Sequence, residues 1–245
     1  MMQIYTIATR AFLPPKDDLF DLLDESVTDL RDGDVLCISS KIVAIHQGRC
    51  LKIDSSIDKD ELIAKEAERF VPRSRVPGAL AILTMKEHTL IASAGIDESN
   101  GNGFYILWPE HPYAAAREVW SHLRKGRNIE NIGVIFTDSH TMPLRSGVTG
   151  ISIGFAGFYP VDSYIGKNDI FGRPFSMSRT NVVDAVAAAA VLHMGEGSEQ
   201  TPLAIVRGVP HLRFTTDDTS GDLLIDPEVD IYRPLLECFE DAGEK

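Results

Sequence analysis

The 245-residue chain is 44% hydrophobic and 24% charged, the balance of a folded globular protein. A net charge of −12 speaks against a nucleic-acid partner, because neutralising phosphates needs a basic face. Cys37, Cys50 and Cys238 have no CxxC spacing, and the sequence shows neither a signal peptide nor an apolar run of membrane-spanning length, so a cytoplasmic protein without disulfides, membrane or nucleic acid is expected.

Strand and helix patterns alternate along the chain. Gln3 to Ala8 alternates polar and apolar residues as a half-buried strand does, and Asp17 to Leu30 sets Leu19, Leu22, Leu23, Val27 and Leu30 at helical spacing. The turn Asp32-Gly33-Asp34 leads into a short apolar strand, Val35 to Ser39. Asp58 to Phe70 reads as an amphipathic helix ending before Pro72, and the runs Ala79 to Met85 and His88 to Ala94 read as a hairpin joined by Lys86-Glu87. A helix is predicted over Pro112 to Lys125, stopping at Gly126, and a buried strand over Ile132 to Thr137, ending on Asp138.

Gly150 to Phe158 is apolar and glycine-rich, the pattern of a strand that other backbone approaches closely. Thr180 to Met194 is a helix capped by Thr180 or Asn181 and closed by Gly195. A strand over Leu203 to Arg207 and a last helix over Pro227 to Glu240 complete the chain. The pattern predicts an α/β fold with α+β-like mixed sheets. It reads as one unit over 1–245, any subdivision falling near 128–131.

Three carboxylates stand where such folds place their sites, at or beyond the ends of apolar elements. They are Asp97 in Ala94-Gly95-Ile96-Asp97-Glu98-Ser99-Asn100, Asp138 in Thr137-Asp138-Ser139-His140-Thr141, and Glu196 between Gly195 and Gly197. Oxygen ligands from separate segments, with hydroxyls nearby, suit magnesium or manganese, which would bridge phosphate oxygens. Each motif taken alone is also an ordinary turn, cap or solvated loop. There is no GxxxxGK[ST] and no complete GxGxxG, so a nucleotide needs another kind of cradle.

Taken together, several segments resemble the coenzyme F-420-0:L-glutamate ligase (gamma-glutamyl ligase) family. They are Asp32 to Leu36, Ala94 to Asn100, Thr137-Asp138-Ser139, Arg145-Ser146-Gly147 leading to Ile153-Gly154-Phe155-Ala156-Gly157, Gly166 to Arg173, Asp184, Gly195-Glu196-Gly197 and Pro202 to Gly208. Their order and spacing match from about Leu13 to Gly208. The resemblance implies the family's α/β fold in an intertwined homodimer. It also implies an amide-forming ligase that uses GTP and divalent metals, acting on a small anionic substrate and a glutamate-like amine donor. Asp97, Asp138, Ser139 and Glu196 are then expected as metal ligands. Leu13, Pro14, Ser40, Lys41, Asn100 and Met194, Gly195, Glu196 and Gly197 are expected at the nucleotide, and Arg145 and His140 as substrate or phosphate contacts. No residue is singled out as an acid–base catalyst.

The chain also departs from the family pattern. Ala44-Ile45-His46-Gln47-Gly48-Arg49 stands where the family reads Ser-Lys-Ala-Glu-Gly-Arg, and Thr141-Met142 where it reads Gly-Arg. Ile45 thus replaces a lysine expected at phosphate, leaving Lys41 as the nearby cation. Two function classes follow: a ligase working through an acyl phosphate, or a homologue that binds a nucleotide or phosphometabolite without turning it over.

Overall fold

The computed structural model describes residues 1–242 and shows a mixed α/β fold. In chain order its elements are β1 (Gln3–Ile7), α1 (Leu19–Ser26), β2 (Asp34–Ser39), α2 (Ser40–His46), β3 (Cys50–Lys52), α3 (Lys59–Glu66), β4 (Arg69–Val71), β5 (Leu83–Lys86), β6 (Thr89–Ala92) and β7 (Phe104–Ile106). There follow α4 (Pro112–Arg127), β8 (Ile132–Thr141), β9 (Val148–Ala156), β10 (Val161–Ser163), β11 (Arg179–Asn181), α5 (Val182–Met194), β12 (Leu203–Arg207), α6 (Arg233–Leu236) and β13 (Glu240–Asp241).

A five-stranded sheet in the order β1-β12-β2-β8-β9 carries the architecture. Only the β2–β8 pair is parallel; the other three are antiparallel. Both faces are covered, which is why the central strands are apolar throughout rather than alternating. Leu36, Ile38, Val134 and Phe136 point into a core shared with α1 and α4. Their neighbours Val35, Cys37 and Ile135 point to the other side, onto α5. A second sheet, β13-β4-β5-β6, and the pair β3–β7 lie outside this frame.

The glycines of β9 keep the close approach that their sequence implies. A Cβ on Gly150 would lie 2.7 Å from the Ala187 carbonyl oxygen on α5, and one on Gly154 would lie 2.7 Å from the Pro112 carbonyl on α4. These glycines let β9 lie directly against a helix on each face.

Several elements differ from expectation. The helix expected over Asp58 to Phe70 ends at Glu66, where Ala67 turns extended, and Arg69–Val71 pairs with β5 instead. The hairpin turn sits one residue later, on Glu87 and His88, both at positive φ. Helix α4 runs through Gly126 to Arg127 and is closed by Asn128 in the left-handed region. Strand β8 continues past Asp138 to Thr141 because β9 pairs with it as far as Thr141. The final helix shrinks to four residues, and Glu240–Asp241 joins β4 as a strand. No helix among the described residues is long and apolar enough to cross a membrane.

Candidate functional site

Strand register brings four segments to one edge of the main sheet. Because β2 and β8 are parallel with Ser39 opposite Thr137, the Ser40-Lys41 start of α2 and the Asp138-Ser139 stretch of β8 emerge side by side. Strand β12 is antiparallel to β2, with Leu203 opposite Ile38, so the loop entering β12 reaches the same edge. Ser39 donates its N–H to the Pro202 carbonyl at 2.9 Å. Strand β1 ends there too, with Ile7 opposite Leu203, and Thr9 donates its N–H to the Gln200 carbonyl at 3.2 Å. Ligands in open α/β sheets gather at such strand ends.

A fifth segment, Asp97 to Asn100, closes the side. Asp97 and Ile106 exchange backbone hydrogen bonds of 3.0 and 2.8 Å, which fixes the loop where the chain leaves the second sheet. Together these segments enclose a cleft of about 540 Å³, a size suited to a small-molecule ligand. Four carboxylates, Asp97, Asp138, Glu196 and Glu199, line it against two cations, Arg10 and Lys41.

Asp138 accepts the Ser139 N–H at 2.7 Å and the Ser40 hydroxyl at 3.1 Å. Burial pushes its carboxyl up to about 6, although both hydrogen bonds favour the ionised form. Burial opposes ionisation of Asp97 as well, but there the Lys41 ammonium and the Ser99 N–H and hydroxyl prevail, holding its carboxyl below the ordinary value. Lys41 Nζ lies 2.7 Å from Asp97 Oδ2 and also donates to the Ser99 carbonyl at 2.7 Å.

The glycine loop after α5 is tied from three sides. The Ser139 hydroxyl donates to Glu196 Oε1 at 2.6 Å, Asn100 Nδ2 donates to the Gly197 carbonyl at 2.9 Å, and the Thr201 hydroxyl donates to the Met194 carbonyl at 2.6 Å. Gly195 sits at φ 82 and ψ 167, backbone that favours glycine. Glu199 folds back to accept the Gly197 N–H at 2.8 Å.

No three carboxylate, imidazole or thiol side chains among the described residues converge into a ready-made cation cage. The donors are instead a few carboxylates and hydroxyls on the wall of a polar cleft. That set fits a hard cation such as magnesium, which is commonly held by one or two carboxylates and completed by waters and substrate phosphates.

Asp97, Asp138, Ser139, Glu196, Ser40, Lys41, Asn100, Met194, Gly195 and Gly197 all line this cleft. Leu13 and Pro14 do not; the lining segment beside them is Thr9 to Phe12, which follows β1 at the same sheet edge. Leu13 is exposed and gives its N–H to Asp17. Arg145 lies exposed in the turn between β8 and β9. His140 is half-buried, outside the cleft lining, and Asp184 is the charge that acts on it. Ile45, in the place of the family's lysine, lines the cleft as well; Arg10 and Glu199 line it without having been singled out, and the position of Arg10 just past a strand end was the available signal.

The family described as F420-0:Gamma-glutamyl ligase matches residues 10–208. The chain is 34% identical to the Coenzyme F420:L-glutamate ligase of Methanopyrus kandleri, an alignment covering 95% of this chain and 98% of that protein. It is also 34% identical to the ligase of the same name from Haloarcula marismortui, over 96% and 97% of the two chains. With that of Methanosarcina mazei the identity is 31%, over 91% and 92%.

Proposed function

The chain belongs to the F420-0:Gamma-glutamyl ligase family, and on that premise we propose that it is an amino-acid ligase forming an amide of the gamma-glutamyl type with a nucleoside triphosphate and a divalent metal. The observation that carries this reading is the meeting of Asp97, Asp138, Ser139 and the glycine loop 195–197 in one cleft. GTP is the co-substrate that the family resemblance favours. A carboxylate oxygen of the acceptor attacks the γ-phosphorus, giving an acyl phosphate and a nucleoside diphosphate. The amine of a glutamate-like donor then attacks the acyl carbon, and phosphate and a proton leave.

Asp97 and Asp138, with Ser139 and Glu196 beside them, are the residues that would hold magnesium or manganese. Such a cation, when bound, supplies charge to balance the phosphate oxygens during transfer. The protein's own part is positional. Four carboxylates against two cations make the cleft's own side chains repel a polyphosphate. Asn100 and the loop 195–201 would cradle the nucleotide, and Lys41 brings a positive charge to phosphate. Arg10 is committed elsewhere, 2.6 Å from Asp17.

The reading includes a homodimer. Its support is a set of exposed apolar side chains, Leu144 between β8 and β9, and Ile170, Phe171 and Met177 between β10 and β11. Light scattering after size exclusion tests this: a mass near 54 kDa, twice the 27.0 kDa chain, is expected, and a monomer would contradict it.

One observation favours binding without turnover. Ile45, which stands where the family has a lysine, lines the cleft and is 2% exposed, so it supplies neither charge nor a hydrogen bond. Incubation with GTP, manganese, glutamate and a panel of small carboxylic acids separates the readings. Release of GDP with amide product supports the ligase; tight nucleotide binding without product supports the binding homologue.

A further inference from the structure

We propose that Lys41 is an exchangeable internal counter-ion: its ammonium neutralises Asp97 while no cation is bound there, and turns to phosphate when a divalent cation takes its place. This rests on the metal- and nucleotide-dependent reading above.

Among the described residues, the polar contacts of the ammonium all run to one loop. Lys41 Nζ lies 2.7 Å from Asp97 Oδ2, 2.7 Å from the Ser99 carbonyl and 3.3 Å from the Ser99 hydroxyl. An ammonium has three donors, and here three oxygens of Asp97 and Ser99 surround it, oxygen groups of the kind that would also suit a hard cation. Asp138, whose carboxyl feels the Asp97 charge, feels the same positive group as well. A compact charge on a flexible four-carbon stem can make this move without backbone rearrangement.

Among the described residues, the cleft lining offers no free alternative to Lys41. Arg10, the other cation there, is held by Asp17 at 2.6 Å and Glu25 at 3.4 Å. Ile45, one turn further along α2, is apolar and buried. A single ammonium must therefore serve a carboxylate in one state and a phosphate in the other. A divalent cation at Asp97 repels it, and a polyphosphate offers it a new partner, so the two ligands each favour the binding of the other.

The test is manganese binding to the full chain without nucleotide, read by electron paramagnetic resonance of free Mn²⁺. The variants are Lys41→Met and Lys41→Gln, the second keeping a donor for the Ser99 carbonyl. Both should bind manganese about tenfold more tightly than the intact protein, since a competing charge has been removed. Both should also lose the part of the enhancement of nucleotide binding by manganese that runs through Lys41, leaving a smaller enhancement than in the intact protein. Lys59→Met, which removes an ammonium paired with Glu98 outside the cleft lining, should leave manganese affinity unchanged. If the intact protein binds manganese and folded Lys41 variants bind it no more tightly, the counter-ion role is overturned while the functional reading stands. If neither intact protein nor variants bind manganese, the metal-dependent reading falls and this inference with it.

Discussion

Ser139 on β8 donates its hydroxyl to Glu196 in the loop after α5 at 2.6 Å, linking two segments 57 residues apart across the mouth of the cleft. The loop is thereby held to the strand that also presents Asp138. Ser139→Ala breaks this link and leaves a charged acceptor without its partner. A hydrogen bond to a charged group contributes about 1.5–3 kcal/mol, so nucleotide affinity should fall by about tenfold or more. The melting temperature should stay within a few degrees, because the pair lies outside the core. Calorimetric titration beside a thermal melt checks both.

Gly195 offers a test of the loop itself. Alanine there must adopt a conformation that costs about 1–3 kcal/mol. Its Cβ would also lie 2.4 Å from the Glu199 carboxyl carbon. Gly195→Ala should therefore weaken nucleotide binding, and adding Glu199→Ala should recover only part of it, relieving the clash but not the backbone. Full recovery in the double variant would show that backbone conformation plays no part.

Gly154→Ala tests packing rather than the site. The added Cβ would meet the Pro112 backbone at 2.7 Å, and backbone yields less readily than a side-chain tip. Overpacking of this kind costs about 1–3 kcal/mol, which urea denaturation will report as a lower midpoint.

Acid should loosen the cleft's rim before it unfolds the core. The Arg10 guanidinium holds the Asp17 carboxyl down at about 2, and Asp17 also accepts the Leu13 N–H, bracing the segment that follows β1. A depressed carboxylate contributes stability that is present above its unfolded value near 3.8 and lost as pH falls toward 2. Asp17→Asn should remove that part of the pH dependence between those limits, seen as a flatter curve of melting temperature against pH.

The sequence made much of this architecture legible, for identifiable reasons. Leu203–Arg207 agrees with expectation residue for residue because its first four residues are covered on both faces and therefore apolar. Helix α5 was readable from its ends: Asn181 accepts the Asp184 N–H as N-cap, and Gly195 closes it. Helix α2 was not, since Ile42 to Ile45 are buried on every side and Ser39 makes no capping bond. The final helix lacked a surface to bury its apolar face, leaving Val229, Ile231 and Leu235 exposed.

In the candidate site, strand-end carboxylates could be picked out because sheet register sends strand ends to a common edge. The conformation of the β8–β9 turn, and with it the position of Arg145, is not written in any such rule. His140 lies two residues beyond Asp138, roughly 7 Å along an extended strand, enough to carry it past the cleft.

The most direct test of the central claim is calorimetric titration of GTP, with and without manganese, into the intact protein and Asp138→Asn. Asparagine keeps the shape of the side chain and can still accept from Ser40, so a change in binding reports the lost carboxylate. Nucleotide binding is expected to need manganese and to weaken at least about tenfold in the variant, the effect of removing a charged ligand. Nucleotide binding indifferent to manganese and to Asp138, or no binding by the intact protein, would contradict that claim.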